Sequence, residues 1–181
     1  PSLSDGIRQL AGRLGVPVKT TLLAAHLRVL SLLTNRRQVV TGYEHSGRPE
    51  EANVDQAIGL FLNSIPFLAE LHATASWADL IRQVHRQEAE FLPFRRFPMA
   101  DMKAQLNTTE TLFESVFNFT HFHMLKQLQE LPGMDLLNVQ VRAETEFVLR
   151  AEFSQNAYDD QVQLSLHYHS NEFDLEHVAR M

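Results

Sequence analysis

Near the end of this chain two long stretches, Val139 to Phe153 and Val162 to Tyr168, alternate apolar and polar residues at every second position. That period places the apolar side chains of each stretch on one face of an extended strand. Asn156 to Asp160 between them is polar, with aspartates that favour turns for backbone reasons. The two stretches therefore read as a hairpin of long strands. A hairpin with one apolar face is not stable alone in water; it needs more strands beside it and a second layer on top.

The rest of the chain supplies both. Ser4 is placed to cap a first helix in which Ile7, Leu10, Ala11 and Leu14 recur at helical spacing, and Gly15 and Pro17 end it. Thr20 or Thr21 opens a second helix through Leu33, apolar nearly all round and so buried on most sides. Gln38 to Tyr43 is rich in β-formers, His45 to Asn53 reads as a loop, and Asp55 to Gly59 as a short turn. Leu60 to Leu68 is an apolar run with strand character around Pro66. Ser76 and Asp79 make a capping-box pair ahead of Trp77, Leu80, Ile81, Val84 and Phe91, a helix that ends at Pro93. Pro98 to Leu106 is a second short helix, Phe113 to Phe122 a strand, 124–138 a connection with a turn at Pro132-Gly133, and Asp174 begins a last helix. The order predicts an α/β fold: one mixed sheet flanked by helices in a two-layer α+β sandwich.

With 181 residues the chain suits one domain, or one lobe of something larger. Its 44% hydrophobic and 21% charged residues exclude a disordered or fibrous chain. Cysteine is absent, which excludes disulfide scaffolds, thiolate metal sites and cysteine nucleophiles. A net charge of -6 offers no long-range attraction for nucleic acid or an anionic membrane. The longest apolar stretch, Leu22 to Leu33, is broken by His26, Arg28 and Ser31 and falls short of the ~20 residues a spanning helix needs. No signal-peptide pattern opens the chain, so a cytoplasmic setting is expected. Pro1 and the helix-like pattern still running at Met181 read as cuts within a longer chain.

Unaided, the residues build no complete catalytic set. His121-x-His123 and His167-x-His169 would each put two imidazoles on one strand face, and two such strands side by side could make a four-nitrogen metal site. Histidines on solvent faces and strand edges are the commoner reading, and no metal is expected. There is no Gly-x-Ser-x-Gly elbow, no Gly-x-x-x-x-Gly-Lys loop and no Gly-x-Gly-x-x-Gly turn, so hydrolase and nucleotide chemistry lack support. Phe113, Phe117, Phe119 and Phe122 read as core.

Two segments carry a resemblance: Val39-Val40-Thr41-Gly42-Tyr43-Glu44-His45-Ser46-Gly47-Arg48-Pro49 and Ile58-Gly59-Leu60-Phe61-Leu62-Asn63-Ser64-Ile65-Pro66. In that order, with the Trp77-x-x-Leu-Ile helix, Phe113-Glu-Ser-Val-Phe-Asn-Phe and Leu164-Ser-Leu-His-Tyr, they resemble the condensation domains of nonribosomal peptide synthetases. The family's His-His-x-x-x-Asp-Gly motif is missing, since no two histidines are adjacent. The resemblance therefore implies that residues 1–181 are the C-terminal lobe, or half, of a two-lobed domain whose N-terminal lobe is absent. Each lobe is similar to chloramphenicol acetyltransferase, and the active site lies in the channel between them.

The resemblance implies amide formation: the amine of an aminoacyl acceptor attacks an acyl thioester, each held on a carrier-protein phosphopantetheine arm. Those arms are substrates, no cofactor is bound directly, and no catalytic residue is expected in this fragment, which alone would be inactive. The implied partners are the other lobe and peptidyl carrier domains, with self-association through apolar surface that the missing lobe would cover.

Arg48, between Gly47 and Pro49, is implied to bridge the lobes by pairing with the aspartate of the missing motif, as a planar guanidinium can do bidentately. A local pair with Glu44, Glu50 or Glu51 is the alternative. Asn63 is implied to lie near the channel, orienting an amine or a pantetheine amide; alternatively it satisfies backbone groups at a strand end. Ser64, Gly59 and Tyr43 are further channel-lining candidates, and Gly42, Gly47, Gly59, Pro49 and Pro66 set shape. Epimerisation, cyclisation or ester-forming relatives, and a non-catalytic carrier-recruiting module, are the competing readings.

Overall fold

The computed structural model describes residues 2–50, 58–121, 145–156 and 160–181. Helix α1 spans Leu3–Leu14 and α2 Val18–Thr34; strands β1 and β2 are Gln38–Ser46 and Leu62–Glu70. Helix α3, Trp77–Phe91, runs into a 3-10 turn at Leu92–Phe94, followed by α4, Met99–Gln105. Strands β3, Ser115–His121, β4, Leu149–Gln155, and β5, Val162–Tyr168, precede a last short helix α5, Leu175–Ala179.

The five strands form one sheet in the order β2-β1-β3-β4-β5. The outer pairs β1–β2 and β4–β5 are antiparallel, and the inner pairs β1–β3 and β3–β4 are parallel. This is the mixed sheet that the order of elements predicts. Pro66 lies on β2, at the edge of the sheet, where a residue without an N–H is tolerated.

Alternation sorts each strand into two faces. Val39, Thr41 and Tyr43 of β1 are paired with Ala69, Phe67 and Ile65 of β2, and all six are buried. With Phe117, Leu149, Ala151 and Phe153, the side chains of Val39, Tyr43, Phe67 and Ala69 meet Leu23, Leu27 and Leu30 of α2 and Leu80, Ile81 and Val84 of α3. Helix α2 packs directly on β1 and β3, with α1 and α3 beside it. That explains its apolar circumference. No single helix among the described residues is long and apolar enough to cross a membrane.

Local signals explain most helix ends. Ser76 caps α3 through the Asp79 amide while the Asp79 carboxylate accepts from the Ser76 amide. The cap of α1 is Ser2, not Ser4: Ser2 and Asp5 make the same reciprocal pair two residues earlier. Ser4 is buried instead, and its Oγ accepts from the Val162 amide at 3.0 Å, tying α1 to the edge strand β5. Gly15 ends α1 at φ 67°, in the left-handed region that glycine enters freely. Helix α2 starts at Val18 behind Pro17, whose fixed φ suits a helix entry; Thr20 and Thr21 lie inside it and are buried.

Two strand boundaries differ from the pattern. Strand β1 continues through Glu44 to Ser46, because β2 pairs with it as far as Ser46↔Leu62, so His45 and Ser46 are strand rather than loop. Strand β4 begins at Leu149, because its ladders with β3 and β5 both end there, at Ser115 and Tyr168. Residues 145–148 are not strand, and 139–144 lie outside the described residues. So do Phe122, His123, the connection 124–138 and Asp55 of the expected turn.

Candidate functional site

The two motif segments meet at one end of the β1–β2 pair. Antiparallel pairing brings Ser46 against Leu62 and His45 against Asn63, so the Gly47-Arg48-Pro49 loop leaves β1 where β2 begins. The Gly47 amide donates to the Phe61 carbonyl, and the Arg48 guanidinium lies over the Phe61 ring, 4.2 Å from its centroid. A Cβ at Gly47 would come within 3.2 Å of that Phe61 oxygen. A cation over an aromatic face is attracted by the ring quadrupole.

Two of the acids expected to compete for Arg48 pair with other arginines. Glu44 pairs with Arg150, and Glu50 with Arg95 at 2.7 Å; Glu51 lies outside the described residues.

Asn63 points toward the turn after α3. Its Nδ2 donates to the carbonyls of Arg95 and Phe97, both at 3.0 Å. This is the backbone-satisfying role of the two readings that the sequence allows. From the same turn Arg96 reaches back: its Nε donates to the Gly47 carbonyl at 3.0 Å and its Nη2 to the Arg48 carbonyl at 3.2 Å. Sequence reasoning missed Arg95 and Arg96, because their partners lie 45 to 49 residues away.

Tyr43 is 1% exposed and turned into the core. Its ring stacks on Phe91 and meets Phe67 and Phe117 edge-on, and its hydroxyl donates to Glu88. Burial, followed by the Glu88 charge, raises the Tyr43 pKa far above the usual phenol range. Glu88 also accepts from the Thr20 hydroxyl and lies 3.3 Å from Lys19 Nζ, so one carboxylate joins α2, β1 and α3. His45, two residues along β1, is pushed down to about 4, by burial first and then by the Lys19 charge.

Ser64 lies on the opposite face of the sheet, across from Glu44. Glu44 is held by both terminal nitrogens of Arg150, at 2.6 and 2.8 Å, across the intervening strand β3. Burial raises the Glu44 pKa in spite of that pair, so desolvation outweighs the cation. Glu152 stands 3.5 Å from Arg150 Nε, and His167 stands 3.8 Å from Glu152. Gly59 is exposed, and a Cβ there would meet only the Phe61 ring, at 3.3 Å. Gly42 is the position that requires glycine: a Cβ would lie 2.2 Å from the Phe113 ring.

Of the two histidine pairs, His123 lies outside the described residues. His121 is on β3 and His167 on β5, with β4 between them, and His169 instead approaches the Thr145 carbonyl at 3.3 Å. Among the described residues no three His, Cys, Asp or Glu side chains are grouped to hold a metal ion. A cavity of about 580 Å³ lies at the other end of the sheet, lined by Leu30, Val39, Phe113, Leu149 and Phe173, away from the Gly47-Arg48-Pro49 loop.

The chain is 39% identical over 117 residues to AMB antimetabolite synthetase AmbE of Pseudomonas aeruginosa, an alignment covering 65% of this chain and 5% of that protein. A four-domain nonribosomal peptide synthetase bound to AMP and glycine shares the fold at a TM-score of 0.85 and 17% identity, over 97% of this chain and 15% of that one. The condensation domain from the monacolin K polyketide synthase MokA also superposes at 0.85, with 16% identity over 98% of this chain and 41% of that one. The model of the condensation domain family matches residues 1–181, the whole length, and the chain therefore belongs to that family.

Proposed function

We propose that this chain is the C-terminal lobe of a condensation domain that joins two carrier-bound substrates through an amide bond. The acceptor amine attacks the donor thioester carbonyl. The C–N bond forms and the C–S bond breaks. The amine gives up a proton, and the thiolate of the donor's phosphopantetheine arm takes one up. The group that handles the amine proton, by general-base or electrostatic action, lies in the other lobe, outside these residues.

One observation carries this reading. The Gly-Arg-Pro loop and the Gly-x-Phe-x-Asn segment, 10 residues apart between Arg48 and Ile58, are joined in space through Gly47 and Phe61. That junction presents a fixed guanidinium at one end of the sheet, suited to a carboxylate of a facing lobe. The 41% share of the MokA condensation domain that the chain matches supports a single lobe. In this account Arg48 bridges the lobes. Ser64 and Gly59 lie on the channel side, and Asn63 and Tyr43 act from behind, holding the loop and the core in place. Carrier proteins deliver both arms, and the protein works in the cytoplasm.

The test is Arg48→Ala in the full-length protein. Activity should fall together with melting temperature, because the two lobes lose register. Unchanged activity and melting temperature would overturn the assignment. An epimerised or ester product in place of an amide would favour the relatives of that chemistry.

A further inference from the structure

We infer that Arg96 is a positioning residue for Arg48, acting through the backbone of the Gly47-Arg48-Pro49 loop; this rests on the reading of Arg48 given above. A surface loop holds one shape only when its backbone groups find partners. Here the amides and carbonyls of Gly47 and Arg48 all find one. The Gly47 amide is taken by the Phe61 carbonyl and the Arg48 amide by Ser46 Oγ at 3.3 Å. The Gly47 and Arg48 carbonyls are both taken by Arg96, and Pro49 has no amide to satisfy.

Arg96 is itself framed. The carbonyls on either side of it, of Arg95 and Phe97, both accept from Asn63. Asn63 lies two residues beyond Phe61, whose ring carries the Arg48 guanidinium. The contacts thus close a circuit: Phe61 to Gly47 and Arg48, their carbonyls to Arg96, the flanks of Arg96 to Asn63, and Asn63 back along β2 to Phe61. Arg95 adds a second tie from the same turn to Glu50. A guanidinium suits the Arg96 position because its rigid fork donates from two nitrogens to two neighbouring carbonyls, which the single ammonium of lysine cannot match. Arg96 touches neither substrate nor reacting atoms in this account, and its whole effect passes through Arg48.

The experiment is a double-mutant cycle with Arg48→Ala, Arg96→Ala and both together in the full-length protein. It is read by the single-turnover rate of condensation and by hydrogen exchange of peptides covering residues 44–50. Arg96→Ala should speed exchange in that peptide roughly three- to ten-fold, as expected for two lost exposed hydrogen bonds. It should slow condensation by a similar factor, with Arg96→Lys intermediate. In the Arg48→Ala background it should slow the reaction no further, a silence that a general loss of stability would not produce. Unaltered exchange in Arg96→Ala, or rate losses that simply multiply in the double variant, would overturn the inference. If Arg48→Ala alone leaves the rate unchanged, the reading of Arg48 falls, and the exchange measurement then decides alone whether Arg96 orders the loop.

Discussion

Glu44 and Arg150 form a two-pronged ion pair across the width of β3, from β1 to β4, with side chains 3% and 15% exposed. The pair is 106 residues apart in sequence and locks the two halves of the sheet in register. Removing one member strands a buried charge. Glu44→Leu or Arg150→Leu alone should therefore cost about 3–5 kcal/mol, while the two together should cost less than either single change. Urea denaturation of the three variants checks this, and a double variant weaker than both singles would contradict it.

The buried imidazole of His26 makes stability depend on pH. Its Nε2 is 3.0 Å from the Thr41 hydroxyl, which also bonds Ser115, and burial pushes its pKa from 6.5 down to about 4. Between those values the unfolded chain binds a proton that the folded chain refuses. Stability is therefore complete above 6.5 and is lost as pH falls toward about 4. The loss should be on the order of 3 kcal/mol, with His45 adding in the same direction. His26→Gln keeps a polar partner for Thr41 and should flatten the urea midpoint against pH. An unchanged slope would contradict the assignment.

At Gly42 there is no room for a side chain. Gly42→Ala puts a methyl group against Phe113 and should cost about 1–3 kcal/mol. Adding Phe113→Leu should recover part of that loss. Strictly additive losses in thermal melts would show that the contact does not set the cost.

Tyr43 serves the core. Tyr43→Phe removes one of the donors to Glu88 and should lower stability by about 1–3 kcal/mol, leaving the condensation rate of the folded protein unchanged. A rate loss without a loss of stability would return Tyr43 to the channel.

What could be read from the chain was what depends on near neighbours. The Ser76–Asp79 box, the Gly15 stop and the Asp174 start of α5 are decided within one helical turn, and all are present. The true cap of α1 was legible too, since Asp5 stands three residues after Ser2. Strand limits were not, because a strand ends where its partners end: alternation ran upstream of Leu149, yet both neighbouring ladders stop there. The motif glycines and Arg48 stood out as a pattern. Arg96 and Arg150 did not, since each acquires its role from residues 48 or more positions away, through pairing that no local signal encodes.

The central claim is amide formation, and single-turnover condensation tests it most directly. The full-length protein is supplied with an acyl-loaded donor carrier and an aminoacyl-loaded acceptor carrier, and the acceptor arm is read by mass spectrometry. The account predicts an amide-linked product on the acceptor arm and a free thiol on the donor arm, formed at least about ten-fold more slowly by Arg48→Ala. An ester, an epimerised acceptor or no transfer in the wild-type protein would contradict it.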